Sequence, residues 1–271
     1  MNTFPRLLGI LNITEDSFSD GGRYLAPEAA LARAQFLAGD GADVIDLGAA
    51  SSNPDSKSVA PEVEISRLAP VVAALKAAAI PVSVDTFSPV VQSWALGEGA
   101  DYLNDVQGFR HPQLYETLSA SRAKLIVMHA IQEGARAERI KVDSAEIVGR
   151  VLGFFDQRIA ALEAAGIARE RLILDPGMGF FLGTVSAASY AVLRALPALK
   201  AAFGLPLLVS VSRKSFLRKL TGRGGPQEAG AASLAAELFA AAQGTDYIRT
   251  HDPGALKDGL IVRRALEGDA G

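Results

Sequence analysis

The run LLVSV, residues 207–211, gives the clearest indication of the architecture of this chain. An apolar run of this length, with hardly any polar alternation, is typical of a parallel β-strand that is covered on both faces. The next residues, Ser212, Arg213 and Lys214, are polar or charged and open towards a helix. The run therefore predicts a buried strand that carries reactive side chains at its carboxyl end.

The same pattern recurs along the chain, with eight β-rich runs that mostly end in a polar or charged residue. Stretches with helical spacing lie between them, and several carry proline in their first turn. Regular alternation without hairpin signals predicts parallel strands joined by right-handed crossovers. The runs are 6–12, 43–48, 81–86, 101–105, 124–129, 171–175, 206–212 and 245–251, and the predicted helices are 27–38, 63–79, 89–96, 112–120, 143–165, 187–203, 228–243 and 253–266.

Eight strand and helix units in 271 residues predict a single-domain TIM (β/α)8 barrel over residues 1–271, because such barrels typically need about 250 residues. A doubly wound open sheet would also explain the alternation and stays open as an alternative. No low-complexity linker or domain boundary interrupts the pattern. Two long polar segments, 13–26 and 49–62, follow early strands and are predicted to be mobile active-site loops.

Composition excludes several classes of protein. The net charge is −3, and positive and negative residues are interspersed along the chain. Because this pattern provides no basic face, we expect no nucleic-acid partner. No apolar run reaches the roughly 18 residues of a membrane helix, and Met1 to Arg6 lacks the features of a signal peptide, so we expect no membrane association and a cytoplasmic location. The absence of cysteine rules out disulfides, thiolate zinc sites and a cysteine nucleophile.

Polar residues at the ends of the runs predict one active site, because a closed parallel barrel collects the carboxyl ends of its strands on the face where barrel enzymes bind substrate. These residues are Asn12, Asp85, Asn104, Asp105, His129, Asp175, Ser212, Arg249 and His251.

Asp175, Asp85 and Asn104 together would suit a ligand rich in amine and amide hydrogens, such as an aminopyrimidinone. The glycines after Asp175 let the backbone approach a ligand, and Phe180 could stack on a planar ring. A buried aspartate that caps its own loop is the competing interpretation for both carboxylates. For His129, the interpretation as a core histidine with a satisfied ring is slightly favoured over contact with a ligand.

Anion chemistry is indicated at the first, seventh and eighth strand ends. The loop that begins at Asn12 mixes amide, hydroxyl and carboxylate groups and would suit Mg²⁺ with phosphate oxygens, although a solvated turn would look alike. Arg213 and Lys214 open a helix and could bind an anion or a carbonyl oxygen, although a surface basic pair is commoner in general. Arg249 and His251 alternate along their strand and could clamp a pyrophosphate.

With these residues identified, nearly the whole chain resembles dihydropteroate synthase. The resemblance implies a TIM barrel that joins hydroxymethyl-dihydropterin pyrophosphate to p-aminobenzoate, in folate synthesis, with Mg²⁺ as cofactor and usually as a homodimer. The motifs that carry it are GILNIT at 9–14 with DSFSDGG at 16–22, SVDT at 83–86, LND at 103–105, DPG at 175–177, SRKS at 212–215 and RTHD at 249–252.

The resemblance also implies roles for single residues. The pterin would be held by Asp85, Asn104, Asp175 and Lys214. The pyrophosphate would be held by Arg249 and His251, with Asn12 as the Mg²⁺ ligand. Lys214, Asp85, Asp175, Arg249 and His251 would thus form the catalytic set, and p-aminobenzoate would enter near Ser212, Arg213 and Phe180.

Departures from the family pattern indicate the sulfonamide-insensitive branch. Residues 50–55 read ASSNPD where the family carries Glu-Ser-Thr-Arg-Pro-Gly, so that Ser52 keeps a hydroxyl while the arginine is lost at Asn53. Phe109 stands in a turn that is usually rich in glycine. We expect Phe109 to narrow the p-aminobenzoate pocket and exclude the bulkier drug, unless it merely packs its loop.

Two rival functions remain open at this point. A methyltetrahydrofolate-dependent methyltransferase would share the pterin-holding residues but has no need of pyrophosphate groups. A catalytically silent pterin-binding protein is expected to have lost Asn12, Lys214 or His251, and all three are present.

Overall fold

The computed structural model describes residues 4–14, 26–50, 58–132, 134 and 139–268 as an eight-stranded parallel barrel surrounded by helices. The strands are β1 (Arg6–Asn12), β2 (Val44–Gly48), β3 (Val82–Asp85), β4 (Tyr102–Asp105), β5 (Lys124–Met128), β6 (Leu172–Asp175), β7 (Leu208–Val209) and β8 (Tyr247–Thr250). The helices are α1 (Pro27–Gly39), α2 (Pro61–Ala77), α3 (Pro89–Gly97), α4 (Tyr115–Ala120), α5 (Ile147–Ala164), α6 (Ser186–Arg194), α7 (Leu196–Phe203), α8 (Ser215–Thr221), α9 (Gly230–Ala242) and α10 (Pro253–Leu266).

The strands pair in the order β6-β5-β4-β3-β2-β1-β8-β7, and every pair is parallel. The remaining gap between β6 and β7 is closed by a parallel bridge between Leu174 and Leu207, with the Leu174 N–H donating to the Pro206 carbonyl over 2.9 Å. The predicted TIM barrel is therefore confirmed, and the doubly wound open sheet is excluded.

Apolar residues fill two separate layers. The larger cluster joins the outer faces of the strands to the helices, as expected for the wall of a parallel barrel. A second cluster takes one residue from each of seven strands and so marks a layer inside the barrel; it consists of Leu8, Val44, Tyr102, Ile126, Ile173, Leu208 and Tyr247. Side chains alternate along a strand, so the residues two positions further on face the same interior, nearer the carboxyl ends.

The same aspartate-to-backbone hydrogen bond occurs three times at the amino-terminal end of the barrel. Gly41-Ala42-Asp43, Gly99-Ala100-Asp101 and Gly244-Thr245-Asp246 each contain a glycine with positive φ, followed two residues later by an aspartate just before a strand. Each carboxylate accepts a backbone N–H from the neighbouring strand, with donors Leu7, Val82 and Leu207 and distances of 2.7, 2.9 and 2.9 Å. These hydrogen bonds tie β1 to β2, β3 to β4 and β7 to β8.

Three predicted elements differ in detail. The helix predicted over 187–203 is two helices, α6 and α7, because Pro197 lacks an N–H and its ring would clash with the carbonyl of Leu193 in a continuous helix. The helix predicted from Asp143 begins at Ile147, and the Asp143 carboxylate instead accepts the Ala145 N–H over 2.9 Å in the preceding turn. The strand predicted over 206–212 is only two residues long.

Candidate active site

The interior of the barrel becomes polar immediately above its apolar layer. Two residues beyond Val44, Tyr102, Ile173 and Tyr247 of that layer stand Asp46, Asn104, Asp175 and Arg249. Asp85 of β3 joins them, since it pairs in register with Asn104. The strand alternation thus brings the residues predicted from four separate strand ends into one cluster.

Arg249 lies between two carboxylates in this cluster. Its Nε donates to Asp46 Oδ2 over 2.5 Å, and its Nη2 donates to Asp85 Oδ2 over 2.7 Å. The Asp46 side chain is fully buried, and that of Arg249 is 13% exposed. Burial alone would lower the pKa of Arg249, but Asp46 and Asp85 outweigh it and raise that pKa, so the guanidinium stays charged. The structure gives Arg249 carboxylate partners and leaves its predicted clamp with His251 untested.

Sequence reasoning missed Asp46. It is an acid in the middle of the otherwise apolar run VIDLG, and that run was interpreted only as a buried strand. The signal was present, because an aspartate is seldom fully buried unless it is paired. Its partner could not be identified from the sequence, since Arg249 lies 203 residues away.

Asp85 and Lys214 have strongly shifted acidities. Burial raises the pKa of Asp85 to about 7, against the opposing effect of Arg249. Burial also lowers the pKa of Lys214 to about 8, with a further decrease from Arg249 and an opposing effect of Asp175 and Asp85. Groups that titrate this close to neutrality, gathered in one interior, are typical of a functional site.

Asp175 ends β6 and shapes the loop that follows it. Its Oδ1 accepts the Gly177 N–H over 2.8 Å, while burial raises its pKa to about 6. Gly177 has a φ of +72°, and a Cβ there would lie 2.3 Å from the His129 carbonyl oxygen, so only glycine fits. Asp175 therefore does cap its own loop, as the competing interpretation expected, and also joins the charged cluster.

The side-chain oxygen of Asn104 is a hydrogen-bond acceptor without a donor in the described part of the structure. The residue is 2% exposed, and its Oδ1 has no hydrogen-bond partner among the described residues. An unpaired buried acceptor costs stability, so it is expected where a ligand supplies the missing N–H.

Lys214 reaches the cluster from the start of α8. Its Nζ lies 5.4 Å from the centre of the Phe181 ring, within the range of a cation–π contact. Gly179 lies beside it with a φ of +68°, a backbone conformation that favours glycine. Phe180, the predicted stacking residue, is half-buried and packs against the small apolar cluster that contains Phe181.

His251 and Ser212 form a second polar group at the ends of β7 and β8. His251 Nδ1 and Ser212 Oγ are 3.0 Å apart, and the His251 backbone N–H donates to the same hydroxyl over 3.2 Å. Burial lowers the pKa of His251 well below its ordinary value, with contributions from Arg213 and Arg249. The ring is therefore neutral without a ligand, and an incoming anion would favour its charged form.

Two other strand-end residues have structural partners. His129 is 3% exposed, its Nδ1 lies 3.1 Å from the Pro176 carbonyl oxygen, and burial lowers its pKa to about 4, as expected of a core histidine. Asp105 is fully buried and accepts the N–H groups of Gln107 and Phe109 over 2.8 and 2.9 Å. It holds the loop after β4.

Phe109 lies in that loop with its side chain 1% exposed, inside the large apolar cluster of the barrel wall. Its φ is +59°, an uncommon value for a bulky residue, and Arg158 donates to its carbonyl oxygen over 2.6 Å. This burial favours the interpretation that Phe109 packs its loop over the expected narrowing of the p-aminobenzoate pocket.

The remaining predictions concern the first two loops. Ser52 lies outside the described residues, as do residues 15–25 and 51–57 of the two segments predicted to be mobile. Asn12 ends β1 and is half-buried, with its Oδ1 directed towards Gly48 of β2. Among the described residues, no three His, Cys, Asp or Glu side chains form a metal-binding group. Asn12 could therefore supply only one oxygen to a cation, which suits Mg²⁺ because that ion usually keeps waters and substrate phosphate oxygens.

No helix in the described part of the chain is long and apolar enough to span a membrane.

Comparison with known proteins identifies the family. The chain matches the family of pterin binding enzymes over residues 8–251. It is 56% identical over 270 residues to dihydropteroate synthase type-2 of Escherichia coli, which covers 100% of this chain and 99% of that enzyme.

Two solved structures of Xanthomonas albilineans dihydropteroate synthase are similar. The structure with 4-aminobenzoic acid has a TM-score of 0.89 and 40% identity, over 98% of this chain and 94% of that one. The complex with 7,8-dihydropteroate has a TM-score of 0.84 and 38% identity, over 98% and 95% of the two chains. The barrel, the charged interior and these similarities agree: the chain belongs to the dihydropteroate synthase family.

Proposed function

We propose that this protein joins hydroxymethyl-dihydropterin pyrophosphate to p-aminobenzoate and releases dihydropteroate and pyrophosphate. Family membership supports the reaction class. The observation that carries the proposal is the cluster of buried Asn104 and Asp175 with half-buried Asp85 and Lys214, whose donors and acceptors complement an aminopyrimidinone.

In this proposal the pterin ring lies against the polar interior. Asp175 accepts the N–H edge of the ring, and Lys214 donates to the carbonyl oxygen and ring nitrogen on the opposite edge. Asn104 Oδ1 gains the partner that it lacks among the described residues. Because these contacts come from two different strand ends and a helix start, they fix the orientation of the ring before reaction.

The pyrophosphate leaves first and carries the electron pair of the broken carbon–oxygen bond. Arg249 and His251 face the leaving charge, and the negative charge of the bound pyrophosphate raises the pKa of His251, so that the ring takes up a proton from solvent despite its burial. Asn12 would hold Mg²⁺, which supplies positive charge to the leaving oxygens when it is bound.

Departure of pyrophosphate leaves a cationic pterin methylene, and the barrel interior suits this cation. Asp46, Asp85 and Asp175 provide three carboxylates against the two cations Lys214 and Arg249, so the fully ionised cluster carries a net charge of −1. A preformed negative field stabilises the developing positive charge without reorganisation. The amine of p-aminobenzoate then attacks the methylene carbon and loses a proton.

We propose that p-aminobenzoate enters near Ser212, Arg213 and Phe180, where a guanidinium can meet its carboxylate. We further propose a cytoplasmic homodimer. Exposed apolar residues on the last two helices, among them Phe239, Ile261 and Leu266, support the dimer. Sulfonamide insensitivity is also proposed, with the altered second loop, including Ser52, as its remaining basis.

The decisive experiment incubates the purified protein with dihydropterin pyrophosphate, p-aminobenzoate and Mg²⁺ and measures turnover as pyrophosphate release. The measurement is repeated at increasing concentrations of sulfamethoxazole. We expect turnover that persists in the drug. K214M should lose at least about 100-fold in kcat/KM, as for a lost buried charge contact, whereas K200M, at the opposite end of the barrel, should not. Pterin binding without turnover would overturn the synthase and favour a silent binder.

A further inference from the structure

Helix α9 packs outside the barrel and carries two polar residues, Ser233 and Glu237, that contact the turn at Ser212 and Arg213. They are four residues apart, so they lie on the same face of the helix, and they are 4% and 2% exposed. Neither belongs to the site described above. A helix face that packs on a barrel wall normally carries apolar residues, so two buried polar groups at this place require an explanation.

Ser233 holds the backbone of the turn. Its Oγ accepts the Arg213 N–H over 2.8 Å and donates to the Ala229 carbonyl oxygen over 2.7 Å. Arg213 has a φ of +59°, a conformation that side-chain-bearing residues rarely adopt. The contact shows that α9 helps to set the geometry at the end of β7.

Glu237 faces the hydroxyl groups of the same region. Burial raises its pKa to about 7, while hydrogen bonds from Thr250 and Ser212 lower it, and Asp252 and Arg213 act in opposite directions. Its Oε1 has no hydrogen-bond partner among the described residues. A buried carboxyl group with an unpaired oxygen costs stability, so an apolar side chain would serve packing better.

The Ser212 hydroxyl links Glu237 to His251. It has a single hydrogen, which is committed when it is donated to the Glu237 carboxylate. Ser212 Oγ can then only accept from His251, whose backbone N–H and Nδ1 lie 3.2 and 3.0 Å away. In the neutral ring this places the proton on Nδ1 and leaves Nε2 as the atom that gains a proton when an anion binds.

We propose that Glu237 is a positioning residue that acts through Ser212 to fix the ring orientation and tautomer of His251. The assignment to the pyrophosphate site rests on the proposed function, but the relay itself does not. In this relay the Glu237 carboxylate orients the Ser212 hydroxyl, and the hydroxyl holds the His251 imidazole in the orientation and tautomer that bind an anion.

The test is the nitrogen-15 NMR spectrum of the histidine rings in the whole, ligand-free protein. The chain has three histidines, so H111Q and H129Q variants leave the His251 signals assigned. Wild type should show His251 with its proton on Nδ1. E237L removes the acceptor and should shift His251 towards a tautomer mixture, whereas E237Q keeps an acceptor oxygen and should restore the wild-type spectrum.

E64L is the matched control. Glu64 on α2 is 1% exposed, burial raises its pKa, and it accepts from Thr86 Oγ1 over 3.0 Å, far from His251 in the barrel order. His251 signals that stay unchanged in E237L, or that shift equally in E64L, would overturn the relay. If E237L does not fold, S212A breaks the same link, and an unaltered His251 tautomer in S212A would overturn the relay as well.

Kinetics separate the relay from the proposed reaction. The KM for dihydropterin pyrophosphate should rise about fivefold in E237L, the loss expected for one hydrogen bond, while that for p-aminobenzoate stays constant. In an S212A background, E237L should cause no further rise in this KM, because both substitutions break the same hydrogen-bonded link from Glu237 to His251. If the wild-type protein shows no turnover but His251 carries its proton on Nδ1, the proposed function is refuted while the relay from Glu237 to His251 is supported.

Discussion

Asp175 carries a cost in stability, and in the proposed function it also binds the pterin. Its pKa is 3.8 ordinarily and about 6 in the folded protein, so the folded state binds the proton more tightly than the unfolded state does. The stabilisation from that proton is fully present below 3.8 and is lost as pH rises through about 6.

Asp175→Asn should therefore stabilise the protein relative to wild type above pH 6, by an amount on the order of 2 kcal/mol. The gain should shrink as the pH falls towards 4, where wild type becomes protonated too. Thermal unfolding across a pH series measures this difference, and turnover at neutral pH should fall at least about 100-fold.

Glu116→Gln is the control, since it removes one carboxylate from an exposed helix position. A gain for D175N that is independent of pH, or that grows towards acid, would contradict the assigned origin of the shift.

Asp46 contributes through its buried pair with Arg249. Asp46→Ala leaves the guanidinium with Asp85 as its described carboxylate partner, and breaking a buried ion pair from one side costs about 3–5 kcal/mol. Urea denaturation should show this loss, together with reduced kcat/KM.

Ser83→Ala makes the fitting control for Asp46. Ser83 pairs with Asp46 in register, is fully buried, and its hydroxyl has no hydrogen-bond partner among the described residues. Its removal should cost less than about 1 kcal/mol. Equal effects of D46A and S83A would mean that the pair with Arg249 adds no net stability.

The loop after β4 bears on the two interpretations of Phe109, drug exclusion and packing of its own loop. Asp105 accepts two backbone N–H groups, and Arg158 donates to the carbonyl oxygens of Gly108 and Phe109, so the turn is held at both ends. These contacts maintain the positive φ of Phe109 and bury its ring. The loop therefore acts as part of the barrel wall.

Phe109→Leu should accordingly lower the free energy of unfolding by about 1–3 kcal/mol and leave the sulfamethoxazole inhibition constant unchanged. Phe155→Leu is the matched variant, because Phe155 is fully buried in the same apolar cluster but belongs to α5. Inhibition restored in F109L alone would reinstate drug exclusion by Phe109.

The parallel barrel was predictable because hydrophobic runs and their polar ends are local signals, and alternation then assigns Asn104 and Asp175 to one interior. Partner choice was not predictable. The pairing of Arg249 with Asp46 depends on strand register, and the burial of Phe109 depends on a left-handed turn. The split between α6 and α7 was present in the sequence as Pro197, but helical spacing on both sides concealed it.

The two ends of the barrel divide stability from chemistry. The carboxyl ends hold carboxylates whose burial is costly, whereas the amino-terminal end uses Asp43, Asp101 and Asp246 to accept strand N–H groups. The charges of Asp85 and Asp175 at the carboxyl end thus oppose folding, whereas those of Asp43, Asp101 and Asp246 at the amino-terminal end support it.

Asp101→Ala tests this division across the molecule. It removes the acceptor of the Val82 N–H and a half-exposed contact with Lys76, and should lower the free energy of unfolding by about 1–3 kcal/mol. Because the site lies at the other end of the strands, kcat/KM should stay within about twofold of wild type. D175N should show the opposite pattern, with raised stability and lost turnover. A D101A variant that loses turnover while it remains folded would show that the two ends are coupled through the strands.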